Sequence, residues 1–313
     1  MSICVLGGTG FVGTELVNAL VRNGHWVRVP TRNAGHGQHL GVLSTVELVT
    51  ANIHEPRTLG QLLAGMDAVI NLVGILNPGG RATFQSVHVD LAAKVIAAAR
   101  GAKVRRLLQM SAAGADRERG PSRYLRSKGA AEDLIRAAAA HLDFTIFRPS
   151  VIFGPRDSLA NRFAALLRMS GGFMPLARPQ ARFAPVYVGD VTEAFVCTLD
   201  RPESLGETYE LCGPDILTLE QLVRMTAAVA QLPCHILRLP DVLGWPQAML
   251  LGLLPGKPFS LDNFRSLGVD SVCRHDGLAA LGISPRHMMA VLPFYLGPFT
   301  GPTELDAARR TND

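Results

Sequence analysis

The sequence predicts an α/β fold, a doubly wound parallel sheet with helices on both faces, followed by a smaller mixed, largely helical C-terminal part. Three observations carry that expectation. The first half of the 313 residues alternates short β-branched runs with Ala/Leu-rich stretches. A glycine cluster stands at the first strand-to-helix junction, Gly7-Gly8-Thr9-Gly10-Phe11-Val12-Gly13. From about residue 155 the rhythm loosens and Pro and Gly become frequent. With 48% hydrophobic residues the chain can bury one large core or two unequal ones, and its composition is far from that of a disordered polymer.

Taken in order, 3–6 reads as a strand, 14–23 as a helix, 26–30 and 46–49 as strands and 59–63 as a helix. The series continues with a strand at 68–72, a helix at 92–100, a strand at 106–110, a helix at 130–140 and a strand at 144–147. Gly24, Gly65 and Gly101 fall where helix C-caps are needed. Residues 1–155 are expected to form the nucleotide-binding unit, its sheet completed by a return segment within 185–200 that begins at 186–188. Residues 156–300 form the smaller substrate- or partner-side part, and 301–313 a polar tail that frays. No internal repeat is visible.

Several classes are disfavoured. The five cysteines (Cys4, Cys197, Cys212, Cys234, Cys273) show no metal-ligand spacing, which argues against a zinc site, any other metal centre or a disulfide framework, and a reducing compartment is the natural reading. The chain opens directly into an apolar strand with no signal-peptide pattern, and Pro246, Gly252 and Pro255 interrupt the greasiest stretch, 243–254. No transmembrane segment is expected, and the expected location is cytoplasmic, with peripheral association at the inner face of the membrane as an option. The formal charge of +5 suits anionic ligands, but 6% aromatics and dispersed basic residues make nucleic-acid binding a poor fit.

The glycine cluster is placed where a tight turn brings backbone N–H groups, and the positive end of a helix, close to a pyrophosphate. This is the pattern of a Rossmann-type dinucleotide site, and Gly7, Thr9, Gly10, Phe11, Val12 and Gly13 are its candidate cofactor contacts. The second strand ends in Thr31-Arg32 with no carboxylate beside it, which favours the 2′-phosphate of NADP(H) over NAD(H). Asn52 and Ile53 after the third strand would face adenine. Leu72, Val73 and Gly74, after Asn71, let the backbone approach the cofactor. An ordinary turn explains asparagine and glycine in such places equally well.

Tyr124 and Lys128 lie four residues apart in a helical stretch and so share one face. An ammonium near a phenol favours phenolate, so tyrosine can exchange a proton with a substrate oxygen while hydride moves to or from nicotinamide; the lysine can also hold the nicotinamide ribose. The bland alternative is a surface tyrosine packed over a lysine stem.

The glycine cradle, Asn71-Leu72-Val73-Gly74, Ser111 and the Tyr124/Lys128 pair together resemble the extended and atypical short-chain dehydrogenases/reductases, the NAD-dependent epimerase/dehydratase-like superfamily. Residues 122–128, 148–154 with Asp157, Asn161 and Phe163, and 185–191 are similar to the atypical subfamily of the nucleotide-binding accessory subunit of respiratory complex I (NADH:ubiquinone oxidoreductase) and its bacterial relatives. The resemblance covers roughly residues 1 to 230. It implies that Tyr124, Lys128 and Ser111 are the catalytic positions and that Pro149, Val151 and Ile152 lie near the nicotinamide. One position departs from the extended enzymes: where they carry a second hydroxyl residue for substrate oxygen, this chain has Ala113.

Residues 240–258 are rich in Leu and include Trp245 and Met249, which fits an apolar wall for an isoprenoid, a contact with a membrane-bound partner, or simply a small helical core. Arg178, Arg182 and Arg265 are candidates for a substrate phosphate or an anionic lipid. Three functional readings follow. The first is an NADP(H)-dependent oxidoreductase on an apolar, quinone-like substrate; the second is a cofactor-holding subunit or assembly factor of a respiratory or quinone-synthesis complex; the third is a nucleotide-sugar epimerase or dehydratase.

Overall fold

The computed structural model describes residues 1–253 and 259–297. The chain runs through β1 (Ser2–Leu6), α1 (Phe11–Arg22), β2 (Trp26–Thr31), α2 (Gln38–Gly41), β3 (Val46–Thr50), α3 (Pro56–Leu63) and β4 (Ala68–Asn71). It continues with a π turn at Gln85–Asp90, α4 (Leu91–Ala102), β5 (Arg106–Met110), α5 (Arg123–Ala137) and β6 (Asp143–Pro149). Then follow β7 (Ile152–Phe153), α6 (Ala160–Met169), β8 (Phe173–Ala177), β9 (Arg182–Phe183), β10 (Val186–Tyr187) and α7 (Val188–Cys197). The remainder includes β11 (Thr208–Leu211), β12 (Leu217–Thr218), α8 (Leu219–Val229), β13 (His235–Leu239), α9 (Asp241–Leu253) and α10 (Leu261–Ser266). The polar tail at 301–313 lies outside the described residues.

Seven parallel strands form the main sheet in the order β11-β6-β5-β4-β1-β2-β3. Both faces are covered, which is why the strands are continuous apolar runs rather than alternating ones. In β1, Ile3 and Val5 pack with α1 and α7, while Cys4 and Leu6 pack with α3 and α4 on the opposite face. The direction of strand addition reverses between β1 and β4, so the carboxyl ends of these two strands flank the crevice in which such sheets bind ligands.

Three expectations need correction. The segment 186–188 does not return to the main sheet: β10 pairs with β7 in a separate two-stranded ribbon. The chain then turns into α7, whose Val191, Ala194 and Phe195 recur at helical spacing and pack toward α1. The edge strand is β11 beside β6, so the nucleotide-binding unit recruits residues well past 155. Gly101 lies inside α4; the left-handed residue that ends that helix is Lys103, whereas Gly24 and Gly65 do take positive φ after theirs. Finally, Cys212 and Cys273 form a disulfide across 61 residues. That overturns the expectation of no disulfide and removes the cysteine argument for a reducing compartment.

The smaller part rests on the parallel pair β8–β13, with α6 and α8 on one side and a core containing Leu167, Met174, Leu176, Leu222 and Val223. α9 and α10 pack on the other side through Ala177, Ala248 and Phe264. Among the described residues no helix is long and apolar enough to cross a membrane.

Candidate functional site

The cofactor positions inferred from the sequence lie at or just past the carboxyl ends of β1, β2, β3, β4 and β6, except Tyr124 and Lys128, which stand on α5 after β5. The glycine loop is the tightest part. Gly7 has φ +82°, and a Cβ on Gly13 would fall 2.2 Å from the Gly7 carbonyl oxygen, so α1 begins in direct contact with the loop beneath it. A Cβ on Gly8 would strike Val29 of β2 at 2.8 Å. Gly10 is the N-cap of α1 without a side-chain cap, and the first turn carries no acidic residue. The N–H groups of Phe11, Val12 and Gly13 have no intrahelical acceptor and face the same end as the helix dipole. This cradle fits a pyrophosphate: its backbone is bare because glycine leaves no room for anything else.

The ends of β2 and β3 border the glycine loop on one side. Thr31 is buried and its hydroxyl donates to the Asn33 carbonyl, while Arg32 is exposed. The turn at Ala34–Gly37 lies over the loop, so that a Cβ on Gly37 would come within 3.1 Å of the Thr9 methyl. Lys94 Nζ donates to the His54 carbonyl at 3.0 Å, and the imidazole of His54 is lowered by burial and then by the positive charges of Lys94 and Arg32. Arg32 and Lys94 therefore both bring positive charge to His54, which their charge and its burial favour in the neutral form. Asn52 is placed differently from the expectation: its amide donates to Glu55 and its oxygen accepts from the His54 N–H, which makes it a turn former. Ile53 packs against the core on the α3/α4 face.

At the end of β4, buried Asn71 donates to Gln109 Oε1 at 2.9 Å and accepts from the Val73 N–H, fixing the path through Leu72, Val73 and Gly74. Above Gly74 two side chains converge: a Cβ there would lie 3.1 Å from Lys128 Nζ and 3.5 Å from His88 Nε2. Lys128 Nζ donates to the Met110 carbonyl at 3.1 Å. Burial brings its ammonium down to about 8, opposed by the negative charge of Glu132. Tyr124 is half-buried one turn earlier on α5, and burial pushes its phenol up to about 12.

His88 is a part of the site that spacing does not reveal. The π turn at Gln85–Asp90 aims it at Tyr124, with ring centroids 5.6 Å apart. Its Nε2 accepts from the Ile75 N–H at 3.1 Å, so Nδ1 carries the proton and donates to Ser127 Oγ at 2.8 Å; Ser127 in turn donates to the Tyr124 carbonyl at 2.7 Å. Burial, reinforced by Lys128, lowers His88 to about 3, so it is a neutral strut between the β4 loop and α5. The start of α5 is held from the C-terminal part: Asp262 accepts from the N–H groups of Arg123 and Tyr124, and Ser266 donates to Ser122.

Ser111 is buried at the end of β5, and its hydroxyl donates to Glu132 Oε1 at 2.5 Å. Glu132 also takes two hydrogen bonds from Arg148, at 2.8 and 2.6 Å, and pairs with Arg136. The Ser111 proton is thus committed to a buried ion cluster. Ala113 is buried and apolar, and its N–H donates to the Pro149 carbonyl. Pro149 ends β6; Val151 and Ile152 are half-buried beyond it, and Gly154 packs beside Phe11. Of the C-terminal arginines, Arg178 pairs with Asp241, Arg182 with Asp270, and Arg265 stacks on Trp245. Among the described residues no group of three or more His, Cys, Asp or Glu is arranged to hold a metal.

A Rossmann sheet, a glycine cradle at its crevice and a Tyr/Lys pair one turn apart on the helix after β5 define a nicotinamide-dinucleotide-binding protein of the dehydrogenase type. Comparison with known proteins agrees. Residues 7–162 match the NAD(P)H-binding family model, and residues 116–213 match the 3-beta hydroxysteroid dehydrogenase/isomerase family. The chain is 31% identical over 291 residues to the mitochondrial NADH dehydrogenase [ubiquinone] 1 alpha subcomplex subunit 9 of Arabidopsis thaliana, covering 88% of this chain and 71% of the relative. It is also 31% identical over 266 residues to the ceramide reductase of Caulobacter vibrioides, covering 85% and 80%. The UDP-glucose 4-epimerase structure from Thermotoga maritima superposes with a TM-score of 0.72 over 100% of both chains at 17% identity, a likeness of fold. The chain belongs to the NAD(P)-binding short-chain dehydrogenase/reductase superfamily, on the epimerase/dehydratase-like branch that contains the complex I subunit and its bacterial relatives.

Proposed function

We propose that this chain is an NADPH-dependent reductase of a carbonyl or quinone borne on an apolar, lipid-like substrate. The observation that carries the reading is Tyr124 and Lys128 on one face of α5, with Lys128 Nζ held at the end of β5 and over Gly74. Bound nicotinamide supplies the hydride in such a reduction. Tyr124, kept protonated by burial rather than shifted toward phenolate as the spacing suggests, gives its hydroxyl proton to the substrate oxygen, with Lys128 one turn along the same helix face. His88 and Asp262 hold α5 in register while this happens. Arg32, exposed at the end of β2 with no carboxylate beside it in the sequence, supports the 2′-phosphate preference. The apolar substrate class is supported by likeness to a relative named for ceramide.

The experiment is NADPH oxidation followed by absorbance, with detergent-dispersed ketones and isoprenoid quinones as acceptors. Tyr124→Phe is expected to lower kcat by on the order of a hundredfold or more while NADPH affinity stays within a few-fold of wild type. Equal rates in wild type and Tyr124→Phe would overturn the reading. One observation favours a second reading, a cofactor-holding subunit without turnover: the Ser111 proton goes to Glu132, and Ala113 offers no hydroxyl in its place. Tight nucleotide binding with no acceptor reduced would favour that subunit role.

A further inference from the structure

We propose that α9 and the adjoining face of the β8–β13 pair form a docking surface for an anionic phospholipid bilayer. Side chains alternate along a strand, so Phe173, Pro175 and Ala177 of β8 share a face with their register partners His235, Leu237 and Leu239 of β13. The opposite face carries Met174, Leu176 and Arg238 and is covered by α8, where Arg238 meets Glu220. α9 covers the first face only in part. Gly244 and Ala248 turn inward against Ala177 and Phe264, and Gln247 donates to the Pro175 carbonyl. Phe173 and Leu237 stay about two-thirds exposed, at 65% and 63%.

The outward side of α9 continues this apolar surface. Val242, Trp245, Met249 and Leu250 recur at helical spacing and are 81%, 45%, 55% and 67% exposed. The helix has one charged residue, Asp241, and Arg178 pairs with it. A helix this apolar on its solvent side has not buried what it was built to bury. The charges beside it indicate the occupant. Arg265 stacks on Trp245 at 5.6 Å, and α10, which carries Arg265, packs on the start of α5, where Arg123 and Arg126 are exposed. Of the local carboxylates, Asp241 is paired with Arg178, and Asp262 is taken up by the N–H groups of α5. Aliphatic side chains, an indole and a rim of arginine match the acyl chains, interface and phosphates of a bilayer, in that order of depth. The same α10 that flanks this surface caps the helix bearing Tyr124, so a docked chain would hold its candidate site beside the membrane.

The test uses the full chain and needs neither nucleotide nor turnover, so it fails or succeeds independently of the reductase reading. The chain has two tryptophans, and Trp26→Phe leaves Trp245 as the single reporter. Adding vesicles of phosphatidylcholine and phosphatidylglycerol in equal parts is expected to shift Trp245 emission to the blue, shield it from aqueous quencher and sediment the protein. Phosphatidylcholine alone should give a weaker effect. Leu250→Asp, and separately Val242→Asp, should each cut vesicle binding about tenfold or more with melting temperature unchanged. Absence of any shift or sedimentation with the mixed vesicles would overturn the proposal. So would a solution dimer, seen by ultracentrifugation, that Leu250→Asp dissociates, since the face would then belong to a second copy.

Discussion

Replacing Gly13 with Ala places a methyl carbon 2.2 Å from the Gly7 carbonyl oxygen and 2.6 Å from the Gly8 Cα. Both contacts are backbone, so no side chain can swing aside, and α1 must part from the loop by about 1 Å. The Phe11, Val12 and Gly13 N–H groups move with it. Losing one charge-assisted hydrogen bond to phosphate costs about 1.5–3 kcal/mol, which corresponds to roughly ten- to 150-fold in affinity. Overpacking should also cost the free protein about 1–3 kcal/mol. Gly60→Ala makes the same chemical change in the interior of α3, where nothing lies within 4 Å of the new methyl, and should be neutral or slightly stabilising. The assay is titration of NADPH against each variant by nucleotide fluorescence, with urea melts for stability. A Gly13→Ala protein that binds NADPH within twofold of wild type would refute the assignment of this loop as the pyrophosphate cradle.

Two further outcomes follow from the buried groups. Lys128 sits near 8 when folded against an ordinary 10.5, so its positive charge is lost as pH rises through about 8; NADPH affinity should fall over that interval, and Lys128→Met should be weaker and flat there. The same group binds fewer protons folded than unfolded between these values, so it makes stability rise with pH from about 8 to 10.5, a slope that Lys128→Met removes in urea titrations. The Cys212–Cys273 link closes a loop of 61 residues, for which chain entropy gives about 4 kcal/mol. Cys273→Ser, or reduction of the wild type, should lower the urea midpoint accordingly, and no change would show that the link does not restrain the unfolded chain.

What the sequence made legible was whatever local pattern encodes. Ile3–Leu6 and Arg106–Met110 read as strands because both sheet faces are covered, and the glycine loop and the Tyr124/Lys128 spacing are short-range features. β11 is not legible because Thr208-Tyr209-Glu210 is a half-exposed edge with no apolar run, whereas 186–188 is more apolar without joining the main sheet. His88 is not legible because one extra residue in a π turn breaks the helical period that would place it. Ser111 is a candidate through the family resemblance, but the direction of its hydroxyl depends on Glu132 and Arg148, residues 21 and 37 positions further along the chain. The disulfide likewise joins residues that only the docking of 270–275 against β11 brings together, through the Glu210 carboxylate and the Arg274 and His275 N–H groups.

The most direct measurement is calorimetric titration of wild type and Arg32→Ala with NADPH and NADH. The glycine cradle and Arg32 predict saturable binding of both nucleotides by wild type, tighter for NADPH. Arg32→Ala should lose roughly ten- to 150-fold of the NADPH affinity and little of that for NADH, as expected for removal of one charge-assisted contact to the 2′-phosphate. Absence of saturable binding by either nucleotide would contradict the account at its base, and NADPH affinity unchanged by Arg32→Ala would contradict the assignment of Arg32 to the 2′-phosphate.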